Sequence, residues 1–77
     1  MSVEQRLVEC FSLAFPELSP DEIRRASMAS VASWDSVAAI NLVTVIEEEF
    51  GIELALEEIG EMASFATVLD ILTQKLP

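Results

Sequence analysis

The segment from Asp35 to Phe50 constrains the fold most, because its apolar residues recur at the spacing of one helix face. At about 100° per residue, one side of such a helix carries a continuous apolar stripe. That stripe is formed by Ala39, Leu42, Val43, Ile46 and Phe50. Gly51 follows directly and is a natural C-terminal stop. The segment therefore predicts a long amphipathic helix that must bury this stripe against other elements.

Two other segments show helical spacing and begin with a capping residue. The first starts after Ser2, which can form a capping box with Gln5, and Pro16 stops it near Phe15. Its apolar face consists of Val3, Leu7, Cys10, Phe11 and Ala14. The last starts after Ser64 and continues to the C-terminus, with a face of Phe65, Val68, Leu69, Leu72 and Leu76. We expect both to be sizeable helices.

The two connections between these helices contain short helical signals. Residues 16–33 form a long loop in which Ser19 and Glu22 make a second capping box, with Pro20 at the first helical position. Residues 52–63 predict an extended stretch and one short helix ending near Gly60. No strand is convincing. We therefore expect residues 1–77 to form a single all-α domain: a small four-helix bundle, with three longer helices plus a short one, and a long loop between the first two main helices.

Composition excludes several kinds of site. The chain has no histidine and a single cysteine, so it can form neither an intrachain disulfide nor a histidine-dependent catalytic triad or zinc site. Cys10 lies inside an apolar stripe, and we interpret it as a buried core residue rather than a reactive thiol. The acids of residues 47–49 lack the calcium-loop pattern, so we expect no metal site.

The charge balance limits the possible partners. Four basic residues against fourteen acidic ones give a formal charge of −10, which repels nucleic acid phosphates and anionic lipid headgroups. The same charge favours partners with basic docking patches. No apolar run is long enough to span a bilayer, and the first four residues lack the basic start of a secretory signal. We expect a cytoplasmic monomer without nucleic acid binding or membrane insertion.

The start of the long helix is the candidate functional site. Two interpretations of Ser36 are open: it is a helix cap without further function, or Asp35, an equally good cap, leaves the Ser36 hydroxyl pointing outward. The positive end of the helix favours a phosphate there, although no base in the sequence can activate the hydroxyl, so a modification needs another enzyme. Val37 and Ile40 are apolar residues near the exposed face. They are either scattered surface residues or a docking patch.

The stretch "DSVAAINLVTVIEEEFGIEL", residues 35–54, resembles the phosphopantetheine attachment region of the acyl carrier protein family. The family pattern is an Asp-Ser pair, then an apolar helix that ends in Glu-Glu-x-Phe-Gly-Ile. The resemblance extends over the whole chain: a first helix, a long loop, the serine-headed helix, a short helix, and a final helix beginning "SFATV". The discrete, stand-alone carriers of this family are the type that the chain resembles.

The resemblance implies that Ser36 carries a covalent 4′-phosphopantetheine, attached by a separate phosphopantetheinyl transferase. The thiol of this arm holds acyl groups as thioesters, so the protein is a carrier and not an enzyme. It presents its cargo to acyl-loading, acyl-transfer or condensing enzymes of fatty-acid, polyketide or another specialised acyl pathway. By the same resemblance, the partner-binding surface comprises Asp35, Val37, Ile40, Asn41, Thr44, Glu47 and Glu48.

The chain also departs from the family pattern. Val37 stands where many fatty-acid carriers have leucine, and the exposed positions from there to Thr44 carry no acids. This favours apolar docking and a specialised pathway. Ser33 and Trp34 occupy the places of a double glycine that often precedes the serine in peptidyl carriers, so an aminoacyl or peptidyl carrier is a less favoured alternative. Another alternative is an acidic helical interaction module that never receives the arm.

Overall fold

The computed structural model describes residues 2–76 and consists of helices joined by loops. The helices are α1 (Val3–Ala14), α2 (Pro20–Arg24), α3 (Ser36–Phe50), α4 (Leu56–Glu61) and α5 (Phe65–Lys75). Within the described residues there is an isolated β-bridge between Ser27 and Ser64 but no strand. The predicted all-α class is confirmed. The three longer helices are α1, α3 and α5. The long loop between α1 and α3 contains the short helix α2, and a second short helix, α4, follows α3.

The helix boundaries are set by capping residues that were visible in the sequence. In α1, the Ser2 hydroxyl accepts the Gln5 backbone N–H at 3.1 Å, and the Gln5 side chain accepts the Ser2 N–H in return. Ser19 and Glu22 form the same reciprocal pair at the start of α2. Gly51 ends α3 with φ at 64°, a left-handed conformation that strains residues with a Cβ atom. No helix within residues 2–76 combines the length and the apolar character required to cross a membrane.

An aromatic cluster lies in the middle of the core. The ring of Phe11 lies 5.4 Å from Trp34 and 5.2 Å from Phe65 between centroids, both in edge-to-face geometry. Phe15 packs against Phe11 and Trp34 in tilted arrangements. Such pairs add about 0.5–1.5 kcal/mol each beyond the burial of their area. The cluster therefore joins α1 to α5 and to the end of the long loop.

The predicted apolar stripes are largely inside, although several residues at their ends or edges, Phe50 among them, are only partly buried. Leu42, Val43 and Ile46 of α3 are buried as expected. Phe50, predicted as the last core residue of that stripe, is only partly buried and packs against the edge of the core. The guanidinium carbon of Arg6 lies 4.5 Å from its ring centroid, so a cation covers the face that the core leaves free.

The long loop is fastened to the start of α5. The Met28 N–H donates to the Ala63 carbonyl at 2.9 Å, and the Phe65 N–H donates to the Ala26 carbonyl at 3.0 Å. Trp34, only 2% exposed, anchors the end of the loop in the aromatic cluster. The loop thus places the first residue of α3 at a defined position on the surface.

Candidate functional site

The two residues before Ser36 hold the start of α3 in place. Asp35 is the N-cap of α3, and its carboxylate accepts the Ala38 N–H at 2.9 Å. Trp34, which precedes Asp35, is buried against Phe11. Ser36 is consequently the first residue of the helix and not its cap. Of the two positions that the sequence allowed for this serine, the structure has the one inside the helix.

The Ser36 side chain is exposed and uncommitted. Its hydroxyl forms no hydrogen bond with any residue between 2 and 76, and the N–H groups of Ser36 and Val37 have no acceptor in that range. First-turn N–H groups lack intrahelical partners and carry the positive end of the helix dipole, which stabilises a phosphate. A phosphate ester on this hydroxyl therefore fits the site. The chain has no histidine, and the Asp35 carboxylate next to Ser36 accepts the Ala38 N–H.

The exposed face of α3 beyond Ser36 carries no charge for two turns and combines apolar with neutral polar side chains. Val37 and Ile40 are 68% and 65% exposed, far more than residues that stabilise a core. Asn41 and Thr44 are exposed beside them, and the Thr44 hydroxyl donates to the Ile40 carbonyl at 3.2 Å. The structure thus brings four of the predicted partner-binding residues together on one face, next to Ser36.

The acids in the last part of α3 differ in their surroundings. Glu47 is half-buried, and its carboxylate accepts the Leu54 N–H at 2.9 Å, which holds the chain after Gly51 against the helix. Glu49 pairs with Arg6 at 2.9 Å. Glu48 is exposed and has no ion-pair partner among the described residues. Its carboxylate is free to meet another molecule, whereas that of Glu47 already has a structural hydrogen bond.

The loop before α3 contains features that the sequence reading did not identify. The buried Nε1 of Trp34 has no hydrogen-bond partner in residues 2–76. The Ser33 hydroxyl donates to Glu17 at 2.7 Å, and this bond holds the pKa of the Glu17 carboxyl below its usual value. The signal available in the sequence was the position of Trp34, a single large apolar residue in a run of small ones. Together these contacts order the loop that presents Ser36.

No group of three or more acidic or cysteine side chains converges on a point where a metal ion could be held, as far as residues 2–76 are concerned. Cys10 is buried in the core, as predicted. Burial, followed by the nearby Glu49 carboxylate, raises the pKa of its thiol to about 11. A thiol with this pKa stays protonated and unreactive at neutral pH.

Comparison with known proteins shows a similarity that covers nearly the whole chain. No protein-family model matches the chain. The chain is 29% identical to an acyl carrier protein of Thermosynechococcus vestitus (strain NIES-2133 / IAM M-273 / BP-1), in an alignment that covers 99% of this chain and 98% of that protein. The similarity therefore spans nearly the full length of both chains and supports a carrier function.

Proposed function

We propose that this chain is a single carrier domain that holds acyl intermediates as thioesters on a 4′-phosphopantetheine attached to Ser36. The observation that carries the proposal is the exposed, uncommitted hydroxyl of Ser36 at the first position of α3. The nearly full-length similarity to an acyl carrier protein supports it. The protein is then a carrier and not an enzyme.

The roles of the protein and of the cofactor are separate. When bound, the phosphopantetheine supplies the thiol that forms the thioester. Asp35 holds the first turn of α3, Trp34 anchors the loop before it, and the free N–H groups of the first turn stabilise the phosphate. The base that activates Ser36 comes from a phosphopantetheinyl transferase, because the chain supplies none.

The partner enzymes dock on the exposed face of α3 next to the attachment point. Val37 and Ile40 offer apolar contacts, flanked by Asn41 and Thr44. Glu48 adds negative charge about two turns beyond Ile40 on the same helix. We infer that the acyl-loading, acyl-transfer or condensing enzymes meet this face with a mainly apolar patch that has basic residues on one side. A tethered arm raises the effective concentration of the cargo at a docked enzyme, so weak docking is sufficient.

The experiment that tests the proposal is a mass measurement. The purified protein, free of the arm, is incubated with coenzyme A and a broad-specificity phosphopantetheinyl transferase. We expect a mass increase of one phosphopantetheine for the wild type and none for Ser36→Ala. The matched control is Thr73→Ala, which removes an exposed hydroxyl on α5 and should be loaded like the wild type. An unchanged wild-type mass, or a gain that survives Ser36→Ala, contradicts the proposal.

A second candidate is an acidic helical interaction module that never receives the arm. The formal charge of −10 and the exposed side chains of Val37 and Ile40 favour it, because neither feature needs a cofactor. This candidate predicts that partner binding is the same for the wild type and for Ser36→Ala, even after treatment with the transferase. The carrier proposal predicts that turnover of the cargo disappears in the variant.

A further inference from the structure

A groove lies between α1 and α3, away from the hydroxyl of Ser36. It has a volume of about 340 Å³ and is lined by Glu9, Cys10, Leu13, Val45, Glu48 and Glu49. The two helices run antiparallel, since Arg6 near the start of α1 pairs with Glu49 near the end of α3. Val45 lies nine residues along α3 from Ser36, about 14 Å at 1.5 Å per residue. The groove is thus distant from the attachment point, although it shares Glu48 with the exposed face of α3 described above.

The floor of the groove is apolar. Cys10 is buried, Val45 is partly buried, and Leu13 is 75% exposed at the edge. The Cys10 thiol is neutral, because its burial raises its pKa. An exposed leucine beside an open apolar groove contributes little to the stability of the fold but offers a contact for an inserted side chain.

The rim of the groove is negatively charged. Glu9 and Glu48 are exposed on opposite sides of it, and neither forms an ion pair with any residue from 2 to 76. Glu49 is the exception, because Arg6 pairs with it. A ligand that enters the groove therefore meets two uncompensated carboxylates around an apolar floor.

We propose that this groove docks a segment of a partner protein in which one apolar side chain is flanked by arginine or lysine residues. The apolar side chain contacts Leu13 and Val45, and the basic residues pair with Glu9 and Glu48. Charge complementarity favours this occupant over a second copy of the chain, an anionic lipid or a nucleic acid. A second copy of the chain has only four basic residues against fourteen acidic ones, and an anionic lipid or a nucleic acid would be repelled by the rim. The proposal goes beyond the carrier function, because it uses neither Ser36 nor the arm.

The test is a titration followed by two-dimensional amide NMR of the ¹⁵N-labelled protein. The probe is a peptide with one leucine between two pairs of arginines, blocked at both ends. The control peptide has serine in place of the leucine. We expect saturable shifts centred on residues 9–13 and 45–49 for the leucine peptide, and binding about tenfold weaker for the serine peptide. Leu13→Ser should weaken the binding of the leucine peptide by a similar factor, and Glu48→Gln by about threefold.

Matched variants separate docking in the groove from general attraction to an acidic protein. Glu61→Gln removes an exposed acid on α4, and Leu56→Ser removes a leucine that is 85% exposed there. Both should bind the leucine peptide like the wild type. The proposal is overturned if the shifts spread over the acidic surface, if the two peptides bind equally, or if Glu61→Gln weakens binding as much as Glu48→Gln.

The same titration distinguishes this proposal from the carrier function. Ser36→Ala should bind the leucine peptide with unchanged affinity, although it cannot be loaded with phosphopantetheine. Normal loading together with a failed titration overturns the docking groove alone. Normal peptide binding together with failed loading overturns the carrier function alone.

Discussion

The two ends of α3 show how one helix can serve two purposes. At its start, Ser36, Val37 and Ile40 are exposed, and their side chains make no polar contact with the described part of the chain. At its end, the Glu47 carboxylate accepts the Leu54 N–H, and Arg6 both pairs with Glu49 and lies against the ring of Phe50. The start of the helix is available to other molecules, whereas Glu47, Glu49 and Phe50 at its end are built into the fold and Glu48 stays exposed.

The difference shows that charge alone is a poor guide to a docking surface. The three consecutive glutamates at the end of α3 look like a solvated acidic patch in the sequence, but two of the three have structural partners. The exposed apolar residues near the start of α3 contribute little to the stability of the fold, so their presence is better explained by contact with a partner. The predictions below test this contrast, in order of decreasing effect on the free energy of unfolding.

The largest effect is expected from Phe50→Ala. Because Phe50 is partly buried under Arg6, we expect the free energy of unfolding to fall by about 2–3 kcal/mol, less than the 3–5 kcal/mol or so typical of a fully buried phenylalanine. Phe11→Ala, in the centre of the aromatic cluster, is the control for full burial. Urea unfolding followed by the fluorescence of the single tryptophan measures both. Equal losses for the two variants would show that the end of α3 is as deeply buried as the core.

A smaller loss is expected from Glu47→Ala. The substitution leaves the Leu54 N–H without its acceptor in a partly buried place, which should cost about 1–2 kcal/mol. Glu48→Ala is the matched control, because its exposed carboxylate has no partner in the described chain, and it should change stability by less than about 0.5 kcal/mol. If both variants unfold at the same urea concentration, Glu47 has no special structural role.

The start of the helix gives the next test. Asp35→Ala removes the side-chain cap from the Ala38 N–H and should cost about 1 kcal/mol. Ser36→Ala should leave stability nearly unchanged, because the hydroxyl has no partner within residues 2–76. Thermal unfolding followed by circular dichroism compares the two. A similar loss in both variants would mean that Ser36 also stabilises the helix.

The smallest effect on stability, and a large one on function, is expected from Ile40→Asp. An exposed position should tolerate the change within about 0.5 kcal/mol. The specificity constant of the transferase for the variant should nevertheless fall by about tenfold, since the docking face loses an apolar contact and gains a charge. Leu56→Asp, at an even more exposed leucine on α4, is the control. If the transferase modifies both variants and the wild type at the same rate, the start of α3 has no docking role.

Local signals made the fold predictable, because caps and stops act within a few residues. The capping boxes at Ser2 and Ser19, the cap at Ser64 and the left-handed Gly51 each lie where the sequence placed a helix boundary. The long loop follows from the same signals, whereas the sequence left open whether Asp35 or Ser36 caps α3, and the structure has Asp35 as the cap. The exposed apolar residues near the start of α3 were also visible from the helical period alone.

The remaining features depend on contacts between distant residues. Arg6 meets Glu49 across 43 positions, and without this pair the sequence gives no reason why Phe50 should lie at the edge of the core. The groove beside Leu13 is lined by residues of both α1 and α3, which no single helical pattern reveals. The burial of Trp34 likewise depends on α1, because its neighbours in the sequence are small or polar.

The central claim is that Ser36 is the attachment point of the arm, and mapping the modified residue tests it most directly. The wild-type protein, treated with coenzyme A and the transferase, is digested, and the modified peptide is sequenced by tandem mass spectrometry. We predict that the phosphopantetheine is found on Ser36 at full occupancy and that Ser33 in the same region is unmodified. A modification on another serine, or a fully unmodified peptide that contains Ser36, would contradict the account.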